Sequence, residues 1–182
     1  MKYSWLAFSF VWSTALAHER VSPLSISMEL GNRALIVARY EVPPGEEAAA
    51  LHEQFDQDGS GSLEHREKER LRGYLSKKLQ DSLEVAVNDR RAWLRGGKSV
   101  LEIVGGAGRI VLVRQFSSRR LSWQAGENLV QVSVRSRNPR SMTPVEVRTT
   151  ASGLRLGDGF HGGEASDGAP LTFTVRGSRD RT

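Results

Sequence analysis

A strict alternation of apolar and polar residues begins near residue 24. Apolar side chains occupy every second position from Leu24 to Leu30, and the same alternation returns between Ala34 and Val42. A period of two indicates a β-strand with one buried face. Gly31 and Asn32 separate the two stretches and are typical turn residues, so the pattern predicts an antiparallel hairpin.

Between about residues 45 and 80 the apolar spacing changes from two to three and four. Two prolines end the second strand, and the acidic pair Glu46 and Glu47 suits the N-terminal end of a helix. This first helix is predicted to end at Phe55, and a second helix is predicted to begin near His65. Their apolar faces consist of Ala48, Leu51 and Phe55 in the first helix and Leu71, Tyr74, Leu75 and Leu79 in the second.

Further strands are predicted after residue 80, where the period returns to two. Leu83, Val85 and Val87 alternate, and Asn88 with Asp89 forms a turn. The other strand candidates are residues 90–94, 100–104, 109–116, 128–135, 144–149 and 171–176. Short strands with turn signals at intervals of about 8–12 residues are typical of a β-sandwich. We therefore expect one mainly β domain over residues 18–182, an immunoglobulin-like antiparallel sandwich with an inserted helix–loop–helix at about 45–80.

The first seventeen residues have the composition of a signal peptide. Lys2 supplies the positive start, residues 5–12 are apolar, and Ala15, Leu16 and Ala17 match the small-residue pattern before a cleavage site. An apolar run of this length is too short to stay in a bilayer as a helix. The sequence thus predicts export to the periplasm or the exterior, cleavage near Ala17, a mature chain that starts at His18, and no stable membrane insertion.

Composition excludes several kinds of chemistry. The 182 residues include no cysteine, so disulfides, zinc–thiolate sites and thiol nucleophiles cannot form. The net charge of +5 raises the question of a nucleic-acid partner, but the basic residues are scattered and lack interleaved aromatic residues. We therefore expect a solvated basic surface and no nucleic-acid binding. The scattered residues are Arg90, Arg91, Arg114, Arg119, Arg120, Arg135, Arg137 and Arg140.

The stretch DQDGSGSLEHRE, residues 56–67, carries the clearest chemistry in the chain. Calcium takes about six to eight oxygen ligands, which a twelve-residue loop can supply from positions 1, 3, 5, 7, 9 and 12. Gly61 falls at position 6, where the backbone must turn sharply, and Leu63 is an apolar residue expected to face the helices. The predicted ligands are the side chains of Asp56, Asp58 and Ser60, the carbonyl of Ser62, Glu64 through a water molecule, and both oxygens of Glu67.

This loop resembles that of the EF-hand family of calcium-binding proteins. It matches the pattern D-x-[DN]-x-[DN]-G-x5-E, except that Ser60 replaces the Asp or Asn at position 5, and serine still provides an oxygen. The resemblance covers one unit, about residues 46–79, and implies a helix, a calcium-binding loop and a second helix. A polar turn between two helices that holds no metal is the alternative interpretation.

The order of the elements also resembles the exported domains that precede the membrane part of some bacterial nickel or cobalt permeases. The resemblance rests on the start AHERVSPLSISMEL, the hairpin, the single EF-hand-like insertion and the stretch SLEVAVNDRRAWL. It implies an accessory role in handling nickel or cobalt, without transport itself. As a mature N-terminus, His18 would be able to chelate copper with His161 as a distant partner, and a plain exposed terminus is the alternative.

Two glycine-rich stretches have simpler interpretations. Residues 104–108 lack the lysine and the following helix of a phosphate-binding loop, so we predict a hairpin turn. Residues 157–168 contain Asp158, Glu164 and Asp167 among five glycines. We predict a mobile surface loop there, with a second cation site as the alternative. Since no serine, histidine and acid are arranged recognisably for nucleophilic catalysis, we do not expect an enzyme.

The sequence therefore predicts an exported calcium-binding protein in which one EF-hand loop stabilises the fold or senses calcium occupancy. Calcium is the expected cofactor. The expected partners are an unidentified membrane or periplasmic protein, or a second copy of the chain paired through its EF-hand. The competing hypothesis is an extracytoplasmic accessory protein for nickel, cobalt or copper, metals that favour imidazole over hard oxygen ligands. An enzyme of unknown class that calcium stabilises is a third interpretation.

Overall fold

The computed structural model describes residues 23–105, 108–135 and 141–178. Within these ranges the chain forms eleven strands and two helices, so the protein is mainly β, as predicted. The predicted signal peptide and His18 lie outside the described residues. Arg137, Arg140 and part of the glycine-rich stretch at 104–108 also lie outside them.

The predicted hairpin is confirmed as strands β1 (Leu24–Leu30) and β2 (Ala34–Val42). The two strands are antiparallel, with Ile26 opposite Ala38. The apolar residues at alternating positions are buried, apart from the half-buried Tyr40, because they all point to the same side of the sheet.

Two helices follow β2 and separate it from strand β3 (Leu83–Val87). Helix α1 is Glu46–Phe55 and helix α2 is His65–Ser82, which confirms both predicted starts and the predicted end of α1. Tyr74 was predicted on the apolar face of α2 but is exposed, and its ring contacts that of Phe55. The other predicted apolar residues of the two helices are Ala48, Leu51, Leu71, Leu75 and Leu79, and all of them are buried.

The remaining predicted strands are all present, most of them with small differences at their ends, and two further strands occur. Asn88 and Asp89 have positive φ angles of 50° and 61° and form the predicted turn after β3. The strands that follow are β4 (Arg90–Ala92), β5 (Leu94–Val104), β6 (Arg109–Ser118), β7 (Gly126–Val134), β8 (Thr143–Thr149), β9 (Leu154–Leu156), β10 (Gly162–Ala165) and β11 (Leu171–Gly177).

Three strands differ from the prediction. β5 begins at Leu94 and not at residue 100, because the stretch LRGGKS also pairs with β6, through a bulge between Gly96 and Ser99. β9 and β10 were not predicted, since β9 has only three residues and β10, with the sequence GGEA, lacks an alternation of apolar residues.

The prediction of a mobile surface loop at residues 157–168 is wrong for residues 162–165, which form β10 and pair with β8. Gly162 permits this pairing. Its φ is 155°, and a Cβ there would lie only 2.3 Å from the carbonyl oxygen of Val145.

The strands form two sheets. One has six strands in the order β10-β8-β1-β2-β6-β5, and the other has five in the order β4-β3-β7-β11-β9. The prediction of purely antiparallel sheets is wrong for β1 and β8, which are parallel, with Ile26 opposite Val145. β8 follows β7 of the other sheet, so no hairpin fixes its direction relative to β1.

Both sheets and both helices contribute to one hydrophobic core. Fully buried residues include Met28 of the six-stranded sheet, Val132 of the five-stranded sheet and Leu71 of α2. α2 contacts β5 and β6 of one sheet and β3 of the other, so the helix bridges the two sheets. The loop that joins α1 to α2 is attached to the N-terminal end of this helix. In the part of the chain that the structure describes, neither helix has the length and apolar composition needed to cross a bilayer.

Candidate metal centre

The loop between α1 and α2 is shaped by its own residues. After the last residue of α1, the backbone N–H of Asp56 still donates to the carbonyl of His52 at 2.9 Å. Gly59 and Gly61 then have positive φ angles of 68° and 76°. Gly61 therefore adopts the left-handed conformation predicted for loop position 6, which favours glycine because a Cβ would be strained there.

Three of the six predicted ligand residues converge. Carboxylate oxygens of Asp56, Asp58 and Glu67 lie within 4.8 Å of one another. Two oxygens bound to the same calcium ion are at most about 5 Å apart, since each lies 2.3–2.6 Å from the ion. The observed spacing of the three carboxylates therefore fits a single calcium ion.

Backbone N–H groups orient both aspartates. The N–H of Ser60 donates to Oδ1 of Asp56 at 3.1 Å and to Oδ1 of Asp58 at 3.0 Å, and the N–H of Gly61 donates to Oδ2 of Asp56 at 2.8 Å. The hydrogen bond from the Ser60 N–H is the main cause that lowers the pKa of Asp58 below its ordinary value of 3.8. The side chains of Ser60 and Asp56 lower this pKa further. Asp58 is thus ionised at neutral pH and carries the charge that a cation requires.

Serine oxygens lie side by side in the same loop. The hydroxyl of Ser60 donates to the carbonyl oxygen of Ser62 at 2.9 Å, which brings these two predicted ligand atoms together. Both residues are exposed. A hydroxyl and a carbonyl oxygen each carry two lone pairs, so both atoms keep one that can bind a cation.

Glu67 is the most enclosed of the predicted ligands. It lies in the first turn of α2 and is only 6% exposed. Its Oε1 accepts a hydrogen bond from the N–H of Gln57 at 2.7 Å, and its Oε2 accepts one from the N–H of Glu64 at 2.9 Å. Each oxygen still has a lone pair for a cation. One carboxylate thereby connects the start of the loop, the start of α2 and the candidate ion position.

Glu64 is placed differently from the three converging carboxylates. It is the residue before α2, it is exposed, and it does not belong to their cluster. Its N–H hydrogen bond to Glu67 forms half of a capping box. The role of Glu64 and Glu67 in starting α2 was missed, although two glutamates three residues apart before a helix are a signal for it. Ligation by Glu64 through a water molecule stays a prediction.

Apolar contacts attach the loop to the rest of the protein. Leu63 at loop position 8 is 4% exposed and belongs to the hydrophobic core, as predicted from its position among polar residues. The rings of Phe55 and Tyr74 pack against each other with 5.5 Å between their centroids. These contacts hold the end of α1 near α2.

No basic side chain in the described ranges neutralises the three carboxylates. Among the described residues, Asp56, Asp58 and Glu67 form no ion pair, and Arg70 of α2 donates to the side-chain oxygen of Gln57 instead. Negative charges this close together repel one another, and a divalent cation removes that repulsion.

Carboxylate, hydroxyl and carbonyl oxygens are ligands that suit calcium or magnesium and not softer transition metals. Magnesium usually keeps several waters, so a loop that offers six ligand positions favours calcium.

The other candidate residues form no metal-binding cluster in the part of the chain that the structure describes. His161 is exposed, its carbonyl accepts a hydrogen bond from the N–H of Val147, and its proposed partner His18 lies outside the described residues. In the described ranges, Asp158, Glu164 and Asp167 form no cluster that could hold a metal ion. Strands β5 and β6, which flank the glycine-rich stretch, are antiparallel, with Val104 opposite Arg109. Residues 106 and 107 of the predicted hairpin turn lie outside the described residues.

Comparison of the chain with known protein families, with curated proteins and with solved structures found no match. The basis for a functional proposal is therefore the geometry of the loop itself.

Proposed function

We propose that this protein binds one calcium ion in an EF-hand unit formed by α1, the loop of residues 56–67 and α2. The observation that carries the proposal is the convergence of the Asp56, Asp58 and Glu67 carboxylates within 4.8 Å, a spacing that suits one calcium ion. In the same proposal, the two sheets form an immunoglobulin-like β-sandwich that carries the EF-hand as an insertion.

Each proposed ligand has a distinct part in holding the ion. Asp56 and Asp58 supply charged side-chain oxygens, and Glu67 supplies both of its carboxylate oxygens from α2. The Ser60 side chain and the Ser62 carbonyl would supply neutral oxygen ligands from the loop. Glu64 would bind the ion through a water molecule. When bound, calcium supplies the positive charge that links oxygens from the end of α1 to those at the start of α2.

Calcium binding would stabilise the helical hairpin for two reasons. The ion removes the repulsion among carboxylates that no basic side chain in the described residues neutralises. The loop is also held in shape by the N–H groups of Ser60, Gly61 and Gln57, which reduces the entropy cost of ordering the ligands. Because the ion binds the folded loop, the free energy of unfolding rises with the concentration of free calcium.

The proposed place of action is the periplasm or the exterior of the cell. Extracellular calcium modules have dissociation constants of about 10⁻⁴–10⁻³ M, and a single EF-hand without a paired second loop belongs in that range. This affinity suits structural stabilisation or the sensing of calcium occupancy. A membrane or periplasmic protein, or a second copy of the chain paired through its EF-hand, is the proposed partner.

Isothermal titration of the protein with calcium tests the proposal. We expect one saturable site, and Glu67→Gln should weaken it by about 100-fold or more because the charged, two-oxygen ligand is lost. Asp158→Asn is the matched control, since this exposed carboxylate lies outside the loop and its loss leaves the affinity unchanged. Absence of calcium-dependent heat, or equal affinity in the wild type and Glu67→Gln, would contradict the proposal.

Metal competition separates this function from the transition-metal hypothesis. Nickel and copper are titrated into the calcium-loaded protein and into a His18→Ala variant. Hard oxygen ligands prefer calcium, so neither metal should displace it at equal concentration, and His18→Ala should leave calcium binding unchanged. Displacement of calcium by nickel or copper that depends on His18 would favour the transition-metal hypothesis.

A further inference from the structure

The surface of the molecule has a basic cleft that residues 56–67 do not line. It has a volume of about 880 Å³ and is lined by Arg33, Arg95, Arg119 and Arg120 together with Trp93. We call these five residues the arginine cleft. None of its lining residues is acidic.

The register of the six-stranded sheet explains why these residues meet. Arg95 at the start of β5 lies opposite Ser117 near the end of β6, and Arg119 and Arg120 follow directly after β6. The turn between β1 and β2 lies against the segment that follows β6, since the N–H of Leu121 donates to the carbonyl of Asn32 at 2.8 Å. Arg33 follows Asn32 in that turn. The cleft is therefore built on paired strands and a turn that is hydrogen-bonded to them.

The four guanidinium groups of the cleft have no side-chain partner in the part of the chain that the structure describes. Among the described residues, none of them forms an ion pair or a side-chain hydrogen bond, and all four arginines are exposed. Many arginines elsewhere on the surface are neutralised, because Arg39, Arg72, Arg91, Arg109 and Arg176 each pair with a glutamate. The cleft thus concentrates positive charge that no acidic side chain of the described residues neutralises, and an anionic ligand would neutralise it.

Trp93 adds an apolar surface to this charge. It lies between β4 and β5 and is 69% exposed. The guanidinium of Arg91 lies 5.7 Å from the centre of its ring, and Arg91 also pairs with Glu84. An exposed indole beside unpaired arginines can contact the ring or the chain of a ligand whose charged groups reach the arginines.

We propose that the arginine cleft binds a phosphate-bearing ligand. The planar fork of an arginine matches phosphate oxygens and donates two parallel hydrogen bonds to them. The volume of the cleft lies within the range of about 300–1,000 Å³ that is typical of small-molecule sites. Two sources offer this chemistry, a soluble phosphate ester and the headgroup of an anionic lipid. The proposal is independent of calcium binding at the loop.

Titration with defined phosphate probes in calcium-free buffer tests the proposal. The probes are inorganic pyrophosphate and vesicles of phosphatidylglycerol mixed with phosphatidylcholine, with pure phosphatidylcholine vesicles as the neutral control. The readouts are the heat of binding and the indole N–H resonance of Trp93, which a Trp93→Phe variant assigns. We expect saturable binding to at least one phosphate probe and a shift of the Trp93 resonance with pyrophosphate if the source is a soluble ester. Binding to the anionic vesicles alone would identify the lipid headgroup as the source.

Two double variants that lose the same charge distinguish specific binding in the arginine cleft from non-specific attraction of an anion to the positively charged protein. Arg95→Gln with Arg119→Gln should weaken binding by about 100-fold, tenfold for each charge-assisted contact that is lost. Arg66→Gln with Arg148→Gln removes two exposed arginines on α2 and β8, and should weaken binding by less than about threefold through net charge alone. Equal weakening by the two pairs would overturn the proposal. So would the absence of binding to both phosphate probes, or equal binding to neutral and anionic vesicles without binding to pyrophosphate.

Discussion

The Oε1 atom of Glu67 accepts a hydrogen bond from the backbone N–H of Gln57 at 2.7 Å, across ten residues of the loop. The Oε2 atom accepts a second one from the N–H of Glu64, so the side chain links the start of the loop to the start of α2. We therefore expect Glu67→Ala to lower the free energy of unfolding by about 2 kcal/mol in EDTA, because hydrogen bonds to a charged acceptor are lost. Urea denaturation followed by circular dichroism measures this change.

The matched control for Glu67→Ala is Glu53→Ala. Glu53 is an exposed glutamate of α1 that forms no ion pair among the described residues, so its removal should change the stability by less than about 0.5 kcal/mol. Equal stability of the two variants in EDTA would show that Glu67 does not close the loop.

Calcium is expected to raise the melting temperature. At a free concentration 100 times the dissociation constant, binding to the folded state adds about 2.7 kcal/mol to the free energy of unfolding. For a chain of this size that corresponds to a shift of about 5–10 °C. Calorimetry with calcium and then with excess EDTA measures the shift and its reversal. Asp58→Asn should lose most of the shift, whereas Asp167→Asn, an exposed aspartate outside the loop, should keep it.

Alanine substitutions at two glycines distinguish the effect of backbone strain from that of helix propensity. Gly61 has a φ of 76°, so Gly61→Ala should destabilise the protein by about 1–2 kcal/mol through backbone strain. Gly73 lies exposed within α2 with open space where a Cβ would stand. Gly73→Ala should stabilise the protein by about 0.8–1 kcal/mol, because alanine favours the helix. The same sign of change in urea denaturation of both variants would contradict this assignment.

Asn128 is a fully buried amide that connects three parts of the five-stranded sheet. Its Oδ1 accepts hydrogen bonds from the Asn88 side chain and the Gln124 N–H, and its Nδ2 donates to the carbonyls of Gln124 and Val175. Asn128→Ala removes a fully buried amide and leaves its hydrogen-bond partners unpaired, which should cost about 3–4 kcal/mol. Asn32→Ala, at an exposed turn position, should stay within about 0.5 kcal/mol of the wild type. A loss below about 1 kcal/mol for Asn128→Ala would show that this network contributes little.

Ser76 carries a buried hydroxyl that has no hydrogen-bond partner among the described residues. Ser76→Ala should therefore stabilise the protein by about 1 kcal/mol, since it removes an unpaired polar group and favours α2. The hydroxyl of Ser82 donates to the carbonyl of Leu79 at 2.9 Å, so Ser82→Ala should give no such gain. Chemical denaturation of both variants measures the difference, and a loss of stability in Ser76→Ala would refute the explanation.

The elements that local periodicity encodes were predicted well. The alternation from Leu24 to Val42 predicted both strands of the first hairpin, and the spacing in residues 46–82 predicted both helices. The convergence of Asp56, Asp58 and Glu67 was predictable for a similar reason, because the spacing of oxygen-bearing residues in 56–67 lies within one short stretch. The convergence of Asp56 with Glu67 required only that two adjacent helices flank the loop.

Features that depend on distant pairing were not predictable. The parallel contact of β1 with β8 and the short strand β10 have no local signal, because their pairing partners are fixed by the arrangement of the whole sheet. The arginine cleft was missed for the same reason. Arg33, Arg95 and Arg119 are scattered in the sequence and meet only through the register of β5 with β6 and the contact of the first turn.

β1 lies between β2 and β8, and its partners Ile26 and Val145 are separated by more than a hundred residues of chain. During synthesis, β1 and β2 can pair as soon as both have emerged, but the second edge of β1 stays open until β8 arrives. Pairing over such a separation is slow, and an open edge recruits strands from neighbouring chains. The nascent protein therefore passes through a period in which aggregation competes with closure of the sheet, and that period ends only with the arrival of its eighth strand.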